Sequence, residues 1–99
     1  MLSSSEPLED TLCSRVRLRI LNLLIELQTL TTAQIAEKVQ VNYVVARAHL
    51  DALEKGDILA HVNFGKRIRY YRFKDSVRAK AIMRLIEAWQ GPDPDPSSR

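Results

Sequence analysis

The sequence predicts a mainly α-helical domain with one small β-hairpin, in the order α-α-α-β-β-α. Three observations predict it. Apolar residues recur at helical spacing in four segments. Two helix-start signals, Thr31-Thr32-Ala33-Gln34 and Asn42, open the second and third segments, and the connection between those two helices is only about three residues long. Two runs rich in β-branched, aromatic and aliphatic residues flank a glycine-containing turn. A length of 99 residues leaves room for one domain. With 45% hydrophobic, 27% charged and 6% aromatic residues, the chain is globular and its core aliphatic.

The first helix is predicted from about Asp10 to Leu27, where Leu12, Val16, Ile20, Leu23, Leu24 and Leu27 follow one stripe. Thr29 to Thr32 breaks that pattern. The second helix opens with a capping box, Thr31 accepting from the backbone and Gln34 reaching back, with Leu30 and Ile35 placed to form a hydrophobic staple. It ends near Gln40. Asn42 caps the third helix, Ala46, His49, Leu50 and Leu53 form its inner face, and Gly56 terminates it. The hairpin pairs Ile58 to Asn63 with Ile68 to Phe73, and its faces, one with Tyr71 and Phe73 and one with Ile68 and Tyr70, are both apolar. Asp75 is the expected cap of the last helix, which runs to about Gln90 with a broad stripe of Val77, Ala81, Ile82, Leu85, Ile86 and Trp89. Residues 1–9 are expected to be flexible, residues 10–90 to form the domain with helix 75–90 pairing two copies, and the Pro/Asp-rich tail 91–99 to be disordered.

Charge is distributed unevenly. The net +3 combines −3 over residues 1–13 and −1 over 91–99 with +7 between them. Such a basic centre points to a polyanionic partner. From His61 to Lys74 there are five bases, Lys66, Arg67, Arg69, Arg72 and Lys74, and no acid. A basic hairpin tip suits DNA phosphates or the minor groove, although charge also protects an edge strand from aggregation.

This element order is that of a winged helix-turn-helix. Ser14 to Leu24, with a serine, an arginine three on and an Ile-Leu pair, resembles the first-helix signature of the ArsR-type regulators. Ala33-Gln34-Ile35-Ala36, the stretch Ala46 to Gly56 with its His-Leu, Leu and Gly landmarks, and Gly65-Lys66-Arg67 with Tyr70-Tyr71 resemble that family's helix-turn-helix, recognition helix and wing. The resemblance implies a dimeric regulator that binds double-stranded DNA through the recognition helix in the major groove, the dimer pairing terminal helices.

Base-reading residues must lie near the N-terminus of the recognition helix and face away from the core. That selects Asn42, Tyr43, Val44, Arg47 and Ala48. Arg47 can offer two donors to guanine, Val44 and Ala48 can meet a thymine methyl, Tyr43 can reach a phosphate or sugar, and Asn42 can cap, read a base or do both. Lys66, Arg67 and Arg69 are the backbone or minor-groove candidates. Arg17 can contact a phosphate or tie the first helix to the fold. Leu12, Val16, Ile82, Leu85, Ile86 and Trp89 are the candidate dimer interface, because the last helix carries more apolar surface than one small core needs. The apolar character of Tyr43, Val44, Val45 and Ala48 also suits an adaptor that binds protein, and a weakly specific architectural DNA binder is a further variant.

Neither a cofactor nor a metal is expected. Metal-sensing members of the resembled family carry paired cysteines near the recognition helix, or His and carboxylate ligands on the last helix. Here Cys13, His49 and His61 are the only soft ligands, without ligand spacing. His49 is expected to be a hydrogen-bonded core histidine. Cys13 is expected to be a small apolar thiol, with an intersubunit disulfide as the other reading. No catalytic motif and no Gly-rich phosphate loop is present, so an enzyme is not expected. No leader or membrane span is read, which makes the cytoplasm the expected location.

Overall fold

The computed structural model describes residues 14–90. The order is α1 (Arg15–Leu27), β1 (Leu30–Thr31), α2 (Thr32–Val39), α3 (Tyr43–Lys55), β2 (Leu59–Phe64), β3 (Ile68–Phe73) and α4 (Val77–Gln90). It is the predicted order with one addition. The two residues of β1 pair with Tyr70 and Tyr71, so the sheet has three antiparallel strands in the order β1-β3-β2. Two residues carry no periodicity, and only the partner strand makes them a strand.

The helix boundaries follow local chemistry. A helix running on from Asp10 is corrected at Ser14, whose backbone is extended and whose side chain caps α1 by accepting from the Arg17 N–H. Both halves of the α2 capping box form: Thr31 Oγ1 accepts from Gln34 N at 3.1 Å, and Gln34 Oε1 accepts from Thr31 N at 2.9 Å. The staple residues Leu30 and Ile35 are buried. Beyond α2, Gln40 turns left-handed at φ 63°, and Val41 N bonds back to Ala36 O at 3.1 Å, which closes the helix and sets the short turn into α3.

Gly56 caps α3 without using glycine's freedom, at φ −77°. The left-handed residue is Asp57, at φ 69°. Ile58 N bonds Leu53 O and Asp57 N bonds Glu54 O, and Leu53 and Ile58 are both fully buried, so the helix ends in a Schellman motif with its apolar contact. Asp57 is also a junction. Its carboxylate accepts from Lys74 Nζ at 2.5 Å, which holds the carboxyl below its usual range, and its carbonyl accepts from Ser76 Oγ at 2.8 Å. Ser76, not Asp75, caps α4, accepting from Ala79 N at 3.0 Å. Asp75 pairs instead with Lys80.

The core lies where α1, α2, α3 and β3 converge, around Ile20, Leu21, Leu24, Ile35, Leu50, Leu53 and Tyr71. Tyr71 is fully buried, which settles which face of the hairpin is inward. Tyr70 lies on the other face, in edge contact with Phe64. From α4, Ala79, Ile82 and Ile86 reach the core. The predicted α4 stripe is therefore split: Val77, Ala81, Leu85 and Trp89, each one turn apart, remain exposed.

One polar tie joins α1 to α3. Arg17 Nε donates to His49 Nδ1 at 3.1 Å, and His49 is half-buried rather than a core residue. Burial, and after it the charge of Arg17, hold the His49 pKa below the ordinary 6.5. The unfolded chain therefore takes up this proton first as the pH falls. Stability is complete above about pH 6.5 and is lost as the pH falls through the depressed folded value. Urea denaturation at about pH 8 and about pH 5 should show this loss, and His49→Gln should shrink it. An unchanged pH dependence in that variant would exclude His49 as its source.

Candidate nucleic-acid interface

The recognition-helix candidates begin at the cap. Asn42 Oδ1 accepts from Val45 N at 2.8 Å, which fixes the first turn of α3 and commits one lone pair of that oxygen. The second lone pair of that oxygen and the two Asn42 amide N–H groups keep their capacity for a partner. After it, Tyr43 is 48% exposed and Val44 75%, and Ala48 is also exposed. Ala46, Leu50 and Leu53 fill the inner face, fully buried. This division places the outer set on the N-terminal half of a helix of 13 residues, roughly 20 Å long.

Arg47 is half-exposed and paired. Its Nε donates to Asp51 Oδ1 at 3.2 Å, one turn along the helix, and this bond raises its pKa further. With Nε engaged, the outer edge of the guanidinium keeps its donors. Asp51 is a site residue that the sequence reading passed over. Its signal was the i, i+4 spacing from Arg47.

The wing turns at Gly65, whose φ of +72° suits glycine. Lys66 and Arg67 are exposed at the tip. Arg69 is half-buried, sharing the inner face of β3 with Tyr71, whose hydroxyl accepts from Arg69 Nη1 at 3.3 Å. Lys74 is occupied by Asp57, and Arg72 lies apart, lining a cavity with Phe73 and Glu87.

Wing and helices meet at a small cavity of about 160 Å³, lined by Thr31, Thr32, Ala33, Tyr43, Arg67, Ile68 and Arg69. Thr32 is 2% exposed, and its hydroxyl has no hydrogen-bond partner. A stranded buried hydroxyl costs about 1–3 kcal/mol. Of the predicted reading set, Tyr43 is thus brought beside Arg67 and Arg69, while Val44 stands further out into solvent.

The candidate dimer residues divide. Leu12, like Cys13, lies outside the described residues. Val16 and Ile82 pack into the chain's own core, against the expectation, because α4 turns Ala79, Ile82 and Ile86 inward. Leu85 and Trp89 are 55% and 86% exposed. With Leu18, Asn22 and Ile86 they line an apolar groove of about 310 Å³ between α1 and α4. Leu18 and Asn22 were not foreseen. Among the described residues no three His, Cys, Asp or Glu side chains cluster to hold a metal, and no helix is long and apolar enough to cross a membrane.

Residues 14–60 match the family model for bacterial regulatory proteins of the arsR family. No curated protein matches the chain. Two solved structures from Mycobacterium bovis are similar. One is a crystal structure of a possible transcriptional regulatory protein (fragment 1–100), 26% identical over 81% of this chain and 83% of that one, with a TM-score of 0.68. The other is a solution structure of the homodimeric winged helix-turn-helix DNA-binding domain of a possible ArsR-family transcriptional regulator, 21% identical over 90% of each chain, also at 0.68.

The Asn42 cap can be tested by itself. Asn42→Ala should destabilise the protein by about 0.5–2 kcal/mol in urea denaturation. A loss below a few tenths would mean that the Val45 N–H finds another acceptor.

Proposed function

We propose that this chain, a winged helix-turn-helix protein similar to the ArsR-type regulators, binds double-stranded DNA sequence-specifically as a homodimer and regulates transcription. The observation that carries this reading is one continuous surface. The exposed N-terminal face of α3 adjoins an acid-free basic wing, and Tyr43 lines the same cavity as Arg67 and Arg69. On this reading α3 enters the major groove. Arg47 addresses guanine, Val44 and Ala48 meet thymine methyl groups, and Tyr43 and Asn42 fix the approach. Lys66, Arg67 and Arg69 hold the backbone or enter the minor groove.

The second copy fits the α1–α4 groove. Trp89, at 86% exposure beside Leu85, is an apolar surface that a monomer leaves in water. Pairing there would make a two-fold reader, whose recognition helices must sit about one DNA turn, roughly 34–36 Å, apart. The homodimeric relative supports this assembly. The function requires no catalytic group and no metal, and its place is the cytoplasm.

Fluorescence anisotropy of labelled duplexes across a salt series tests the reading. Binding should weaken steeply with salt, and replacing Lys66 and Arg67 by Ala should lower the log–log slope by about 0.9 per lost phosphate contact. Arg47→Ala should cost about 1–3 kcal/mol on the preferred site and relax the preference there. A wild-type protein that binds no duplex at low salt would overturn the reading in favour of a protein-binding adaptor. Separately, Trp89→Glu should sediment as a monomer; a variant that sediments like wild type would remove the groove as the interface.

A further inference from the structure

We propose that Asp51 is a positioning residue that sets specificity: it holds the Nε edge of Arg47, so that only the end-on edge of the guanidinium is offered to guanine, while its own charge opposes binding to any duplex. This deepens the DNA-binding reading and rests on it.

The contact follows from helix geometry. Side chains on an α-helix lean toward its N-terminus, so Asp51, one turn beyond Arg47, reaches back along the outer face of α3. Its Oδ1 accepts from Arg47 Nε at 3.2 Å. A guanidinium presents parallel pairs of N–H groups along two edges, one of which includes Nε. With Nε bonded to Asp51, the edge formed by Nη1 and Nη2 is the one left, and its plane is restrained before DNA arrives. That edge matches the O6 and N7 acceptors of guanine. A free Arg47 could swing to a phosphate beside any base pair. A held Arg47 is kept from that alternative, and it loses less side-chain entropy when a guanine meets it.

The pair does little else. The two side chains are 34% and 49% exposed, and ion pairs at such exposure contribute little to stability. The order is also the weaker one for a helix, with the base on the N-terminal side and the acid beyond it. Glu54, the other acid of α3, is drawn to His61 at 2.5 Å. Asp51 therefore keeps a carboxylate on the face that the DNA reading turns toward phosphates, where like charge lowers affinity. That penalty is common to all sequences and cancels in a comparison between them. The ordering of Arg47 favours only a duplex that places guanine against it, and so it alone changes the preference.

The test starts from a duplex that the wild-type protein selects from a random pool. Fluorescence anisotropy then compares this duplex with an unrelated one, and with copies in which each guanine in turn is replaced by an analogue whose N7 is carbon. Arg47→Ala should cease to sense one of those replacements. Asp51→Ala should bind the unrelated duplex more tightly, yet its preference for the selected duplex should fall about fivefold. Asp51→Asn also loses the charge but keeps an accepting oxygen, and it should recover most of that preference. In an Arg47→Ala background, Asp51→Ala should tighten both duplexes alike and leave the preference unchanged, which is the mark of coupling between the two residues. Thermal denaturation checks that each variant folds. An Asp51→Ala variant that tightens both duplexes equally while Arg47 is present would overturn the positioning role, as would an equal loss of preference without Arg47. Either result leaves the DNA reading in place. A wild-type protein that binds no duplex would overturn the DNA reading and the positioning role with it.

Discussion

The burial of Tyr71 is the constraint on which the interface depends. β3 is the central strand of the sheet, and alternate residues face opposite sides. With Tyr71 buried against the helices, Arg69 lies on the same face, and Arg67 continues that alternation into the turn. A register slip of one residue would send both guanidinium groups to the opposite face and bring Tyr70 inward. Pairing on both sides resists that slip. β1 holds Tyr70 and Tyr71, and β2 pairs the full length of β3. The inner face of one strand thus changes from core to cation as it leaves the body of the domain.

The helices meet that strand with their own polarity. α2 and α3 both begin beside the wing, each closed by a side-chain cap from Thr31 or Asn42. Neither has an acid in its first turn. Asp51 lies within the candidate interface, beside Arg47, while Glu54 meets His61 at 2.5 Å and Asp57 meets Lys74. The Asp57 pair neutralises Lys74 at the far end of the hairpin, and Lys66 and Arg67 at the wing tip form no such ion pair among the described residues. Exposed ion pairs contribute little to stability, so their main effect is to shape this field.

The last helix serves two surfaces with one sequence. Its apolar residues exceed what a single core stripe can bury, as the composition indicated, but their phase could not be read. Val77, Ala81, Leu85 and Trp89 recur every four residues, and so do Ile82 and Ile86. Both sets satisfy helical spacing. Packing against α1 selected Ile82 and Ile86 and left the other set in solvent.

The sequence by itself determined the four helices, the caps of α2 and α3, the hairpin and the outer face of α3. These rest on interactions within a few residues, such as the Thr31–Gln34 box, the Asn42 cap and the 3.6-residue period that turns Ala46, Leu50 and Leu53 inward. The resemblance in residues 14–73 added the wing and the regulator class, and the family match over residues 14–60 agrees with it. Tertiary structure alone decided the third strand, the face of the hairpin, the tie from Arg17 to His49, the choice of Ser76 over Asp75 as a cap, and the cavity holding Thr32 beside Arg69. Each of these joins residues far apart in the chain, or chooses between two equally periodic faces. Local pattern carries no information about which distant surface will arrive to cover it, and that is settled only when the core closes.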